Sequence, residues 1–153
     1  MALDFDKYAQ EGNEFLNHLA RELGHPQEVQ KTGIILRAVL HTLRDRLTVS
    51  ESINMLAQLP MMLKAVYVDD WKYSDKPIKL KSIHELKEHV KKEQEKYGET
   101  EFDWEEPTRE IISTVLGVLS HRYLSDGELK NIMAQLPEQM EDVIRDNMNG
   151  QAS

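Results

Sequence analysis

Six histidines among 27 carboxylates are the residues of this 153-residue chain with the clearest potential for chemistry. His84 with Glu88, Glu85 with His89, and Glu14 with His18 each stand at i,i+4, a spacing that puts two metal ligands on one helix face. A bound metal needs three or four such groups converging. The Glu-x-x-His motif on two helices that marks di-iron bundles is absent, as is His-Glu-x-x-His. Taken alone, the three pairs describe the solvated face of a helix, so no metal or cofactor is expected, and a metal-dependent enzyme is the third reading of function.

Nucleophilic and nucleotide chemistry find less support. Ser50, Ser82 and Ser125 all fall at predicted helix starts, where capping explains them, and Gly-x-Ser-x-Gly does not occur. The chain has no cysteine, which excludes disulfides, thiolate nucleophiles and Cys-ligated metals. Its seven glycines are scattered singly, so no loop cradles a phosphate. No catalytic residue is assigned.

The elements that would position any site are helical. Asn54-Met55-Leu56-Ala57-Gln58-Leu59-Pro60 is echoed 77 residues later by Asn131-Ile132-Met133-Ala134-Gln135-Leu136-Pro137. Upstream of each copy, Thr48-Val49-Ser50-Glu51 and Ser125-Asp126-Gly127-Glu128 read as capping boxes, and each proline forces the preceding helix to end. Val39, Leu40 and Leu43 match Val115, Leu116 and Leu119 at an offset of 76. Such a period is too long for a solenoid; it predicts a tandem duplication of a small four-helix unit.

Helical spacing of Tyr8, Phe15, Leu16, Leu19 and Leu23 predicts a helix over 5–23 that stops at Gly24. Segments 28–46 and 107–122, apolar on more than one face, are the expected central helices, with Gly33 and Gly117 as points of close approach. Residues 69–77 carry turn chemistry, and Ser82 opens a helix bearing Ile83, Leu86, Val90 and Tyr97. No stretch alternates as a strand does. The expectation is an all-α fold of about eight helices packed as one compact body, with repeat units at 1–70 and 82–149 and a linker at 71–81.

The doubled Ala-Gln-Leu-Pro helix ends, each behind a capped turn, together with Phe15-Leu16, Gly24 and the segment from Val66-Tyr67 to Trp71, resemble the prokaryotic family called domain of unknown function 2267. The resemblance spans roughly residues 5–145. It implies a helical fold and a prokaryotic source, and it carries over no activity and no catalytic residues.

Binding is the remaining class of function. Nineteen basic against 27 acidic residues give a net charge of −8, which opposes general affinity for nucleic acid or anionic membrane. The exception is local: segment 72–96 holds eight lysines against Asp75, Glu85, Glu88, Glu93 and Glu95. Lys76, Lys79, Lys81, Lys87, Lys91 and Lys92 form the candidate patch for an anionic partner, although their interleaving with glutamate is that of a solvated face. The acidic stretch 99–107 reads as a helix entry stapled by Phe102 and Trp104.

Methionines collect around the two Pro-linked helices, and Met61-Met62 lies beside Tyr67 and Trp71. In the second copy Met61 and Met62 correspond to Glu138 and Gln139, so the copies differ on one face. Met61, Met62, Tyr67 and Trp71 are therefore the expected interface of a non-enzymatic interaction or regulatory module, dimerising or holding another protein. Polyanion binding through 72–96 is the second reading. The apolar runs are too short for a membrane span, and Met1–Lys7 lacks a secretion-signal pattern, which makes the cytoplasm the expected address.

Overall fold

The computed structural model describes residues 3–72, 74, 76–98 and 104–140. Among them are seven α-helices and no strand: α1 (Phe5–Glu22), α2 (Val29–Arg46), α3 (Val49–Leu56), α4 (Met61–Val68), α5 (Ile83–Glu95), α6 (Thr108–Arg122) and α7 (Asp126–Ala134). Residues 138–140 begin a further helical turn after Pro137. The all-α expectation holds, and no described helix is long and apolar enough to cross a membrane.

Helix boundaries follow local chemistry. Asp4 caps α1 by accepting from the Lys7 N–H at 3.2 Å. At its other end Gly24, at φ 83°, lets the Gly24 and His25 amides return to Arg21 and Ala20, closing a Schellman turn. The box at α3 is complete: Thr48 Oγ1 accepts from the Glu51 amide at 3.1 Å, and Glu51 Oε1 accepts from the Thr48 amide at 2.8 Å.

The second box differs from expectation. Ser125 accepts from the Glu128 amide at 3.1 Å, but the Ser125 amide donates to Gln58 Oε1 at 2.7 Å instead of to Glu128. Gln58 belongs to the first Ala-Gln-Leu-Pro segment. Its counterpart Gln135 donates to Glu51 Oε2 at 3.4 Å, so each glutamine reaches the helix start belonging to the other copy. Arg46 reinforces the contact by donating to the Gln135 carbonyl at 2.9 Å.

One hydrophobic core draws side chains from every described helix. Residues 38–44 of α2 are buried without a break, so this helix is the central strut. Its most extensive partner is α5, although sequence places the two in different repeat units. Two buried hydroxyls, Thr42 of α2 and Ser120 of α6, are satisfied within their own helices by donating to carbonyls four residues back, at 2.7 Å each. The end of the expected linker is also tied down, because Leu80 is buried and the Ile78 amide donates to the Asp45 carbonyl at 2.9 Å.

Two local expectations need correction. A close approach falls at Gly12, where an added Cβ would lie 2.9 Å from Met62 Cβ, whereas one at Gly33 would only meet Leu16 at 3.9 Å. Tyr97 lies in the turn after α5 rather than within it. Trp104 is buried as expected, but it is held by stacking on His25 (centroids 4.1 Å apart) and by donating to Glu28 at 3.1 Å. Phe102 lies outside the described residues.

Tyr67 is fully buried and shares a 2.7 Å hydrogen bond with Ser52, also fully buried. Tyr67→Phe leaves the serine hydroxyl without its partner and should cost about 1–3 kcal/mol in chemical denaturation. Glu128, buried in α7, has its carboxyl pushed above the ordinary range by burial and by the nearby Glu51 charge. A raised folded-state value favours folding below the unfolded value near 4.5 and opposes it as pH rises through the folded value. Glu128→Gln should therefore raise the melting midpoint at pH 7 and leave it nearly unchanged at pH 4.

Candidate functional site: a histidine–carboxylate cluster between α2 and α5

The i,i+4 periodicity of α2 and α5 places His41 with Asp45 on one helix and His89 with Glu93 on the other. The two helices turn these pairs toward each other. His89 Nε2 lies 3.1 Å from Asp45 Oδ2 and 3.8 Å from Glu93 Oε1, and His41 Nδ1 lies 3.9 Å from Glu93 Oε2. Asp45, His89 and Glu93 each offer one ligand atom within 4.8 Å of the others.

Burial gives the cluster its electrostatic character. Glu93 is only 3 % exposed. Lys96 donates to its Oε1 at 2.9 Å, while Oε2 has no hydrogen-bond partner among the described residues. His41 Nε2 donates to the Val66 carbonyl at 2.7 Å, and burial keeps its pKa below the ordinary value despite that bond. Nδ1 of the same ring faces Glu93 Oε2. Burial pushes the Asp45 carboxyl up, but the His89 hydrogen bond and the Arg44 charge outweigh it, and the net shift is downward.

Beside the cluster, α2 also holds the end of α4. Arg44 donates to the Tyr67 carbonyl at 3.1 Å and to the Asp69 carbonyl at 2.9 Å, next to the His41 bond to Val66. These are carbonyls that a helix terminus leaves without an intrahelical partner. The chain then turns through Asp70 at φ 59°, a left-handed geometry that aspartate tolerates better than most residues.

The sequence-derived metal pairs are not the ones assembled. Glu14 is gripped by the Arg122 guanidinium at 3.1 and 2.6 Å, and His18 instead faces Glu22 at 4.0 Å. Glu85 accepts from the Lys81 amide, and His89 turns to Asp45 and Glu93. His84 is exposed. The cluster was nevertheless written in the sequence as His-x-x-x-Asp at 41–45 and His-x-x-x-Glu at 89–93, the same spacing on two helices.

The expected interface residues separate. Tyr67 is fully buried and cannot touch a partner, because its ring fills the core against Ser52 and Trp71. Trp71 is half-buried beneath Arg44. Met62 is half-buried against Gly12 and lines an apolar groove of about 420 Å3 with Leu16, Ile34, Val66 and Tyr97. Met61 alone of the four is exposed, at 42 %.

Among the lysines, Lys79, Lys91 and Lys92 line a shallow trough along α5 and the segment before it together with Glu85, Glu88 and Glu95, so both signs of charge share that surface. Lys76 and Lys81 are exposed outside it, and Lys87 is half-buried.

A helical core, a buried histidine–carboxylate seam and an exposed apolar stripe on one short helix define an all-α protein. Residues 12–143 match the family described as uncharacterized conserved protein DUF2267, and the chain belongs to that family. No curated protein matches the chain.

The lowered Asp45 value has a definite consequence for stability. The unfolded carboxyl titrates near 3.8 and the folded one lower, so its stabilising effect is present above that pH and is lost on acidification through the folded value. Asp45→Asn should flatten the fall in melting midpoint between pH 5 and pH 3, read by circular dichroism.

Proposed function

We propose that the protein is a non-enzymatic interaction module that associates through α4 with a second copy of itself. The observation that carries this reading is the composition and placement of one helix. Met61–Val68 contains a single polar residue, Lys64, yet only Leu63 and Tyr67 are buried. Met61, Ala65 and Val68, at i, i+4 and i+7, face solvent as an apolar stripe. The groove lined by Met62 and Val66 runs beside it.

A second copy offers the same stripe and the same groove, the self-complementarity that a two-fold contact requires. Each chain carries a net charge of −8, so the contact has to be apolar, and two copies repel at long range. Added salt should strengthen the association. Polyanion binding through 72–96 would weaken with salt instead. The tandem duplication fits the same picture: the second copy has Glu138 and Gln139 where the first has Met61 and Met62, leaving one copy to associate. A cytoplasmic location accords with this reading.

Light scattering after size exclusion tests it. Wild type should run as a dimer, and Met61→Glu and Val68→Glu as monomers with unchanged helical circular dichroism. A monomeric wild type, or charged variants of unchanged mass, would sink the proposal. Met62→Glu is a poorer probe, because Met62 packs against Gly12.

A further inference from the structure

We propose that Asp45, His89 and Glu93 form a binding site for a divalent first-row transition metal ion of the zinc class, with His41 as an additional ligand. Four features of the α2–α5 seam lead there.

The spacing of the donors is that of a coordination shell. With metal–ligand bonds of about 2.0–2.2 Å, two ligands at a tetrahedral angle lie about 3.4 Å apart. His89 Nε2 is 3.1 Å from Asp45, in a hydrogen bond that metal would replace, and 3.8 Å from Glu93, two distances that bracket that value. His41 Nδ1 lies 3.9 Å from Glu93 Oε2, on the far side of that carboxylate from the oxygen facing His89, and reaches the ion only after a side-chain shift.

A buried acceptor is also left over. Glu93 Oε2 has no hydrogen-bond partner among the described residues, and its side chain is 4 % exposed. His41 Nδ1 lies opposite it at 3.9 Å, and His41 already donates through Nε2 to the Val66 carbonyl. With Nε2 committed to Val66, Nδ1 and Glu93 Oε2 face one another at 3.9 Å, beyond hydrogen-bond distance, across a gap that a cation would fill. A ligating histidine ordinarily donates its other ring N–H to a carbonyl or carboxylate, which is what His41 does.

The donor set selects the ion. Imidazole nitrogens beside carboxylates suit zinc, cobalt, nickel or iron, whereas magnesium and calcium prefer oxygen throughout. Each helix contributes one histidine and one carboxylate four residues apart, so bound metal would lock α2 to α5.

Lys96 is the competitor. Its ammonium sits 2.9 Å from Glu93 Oε1, and its side chain is 54 % exposed and free to swing into solvent when metal enters. Charge removal at this position therefore distinguishes the two possibilities. If the cluster exists only as an ion-pair network, Lys96→Ala weakens it; if it is a metal site, the same change tightens binding.

The test uses the untagged full chain, equilibrium dialysis against zinc(II), and the visible absorption of bound cobalt(II) as a report on geometry. One equivalent of zinc per chain is expected, with a higher melting midpoint. Asp45→Asn and His89→Ala should each weaken binding by more than about 100-fold, beyond what loss of an outer-shell partner causes. Lys96→Ala should tighten it, and His84→Ala should leave it unchanged. Should Asp45→Asn fail to fold, His89→Ala carries the test, since that side chain is 20 % exposed. Substoichiometric zinc in wild type, equal binding by wild type and His89→Ala, or equal losses in His84→Ala and His89→Ala would overturn the assignment.

Discussion

The carboxylate of Glu93, carried into the seam between the two most extensively paired helices, is the constraint around which this molecule is arranged. A charge withdrawn from water is tolerated only when other groups compensate it. Lys96 reaches in from the end of α5, His89 adds an imidazole from one turn earlier, and α2 contributes His41, Asp45 and Arg44 from the opposite side. The contact between α2 and α5 is consequently specific in register as well as hydrophobic. Sliding either helix by one residue would separate the facing pairs and leave the buried carboxylate without compensation.

From that seam the fixing of α4 follows. His41 and Arg44 accept the geometry of α5 on one side and, on the other, donate to the carbonyls of Val66, Tyr67 and Asp69 that close α4. Tyr67 is driven into the core, and Gly12 lets α1 approach Met62 closely. With two sides of an almost wholly apolar helix used in packing, Met61, Ala65 and Val68 have no remaining place but the surface. The proposed association surface and the proposed metal site are thus coupled through α2: one residue, His41, touches both the α4 terminus and Glu93.

The repeated segments play a further mechanical part. Gln58 and Gln135 stand at equivalent positions of the two Ala-Gln-Leu-Pro copies, and each side chain serves the start of the helix that follows the other copy's capped turn. Such reciprocity explains why the box at Ser125 can open: Gln58 supplies the acceptor that Glu128 does not, and Glu128 is left buried with its carboxyl pushed up. A rule that is local at Thr48 has become tertiary at Ser125.

Much of the fold was legible because its signals are local. The Thr48 box, the Gly24 terminus, the proline stops and the apolar runs of α2 and α6 act over a few residues, so helix starts and ends follow from neighbours in the chain. The site was less legible, because i,i+4 spacing says which residues share a face and not which face another helix will cover. Glu93 sits among lysines and other glutamates like any solvated residue, and only the packing of α5 on α2 buries it. Tyr67 and Met61 are both apolar members of one short helix, and their opposite fates, core and solvent, depend on where α2 and α1 lie against it. Sequence by itself determined the helices and, apart from the box at Ser125, their caps, since those rest on contacts within a turn or two. Tertiary structure alone decided which charges meet in the interior and which apolar face is left outside, because both depend on residues 25 or more positions apart being brought to within a hydrogen bond's length.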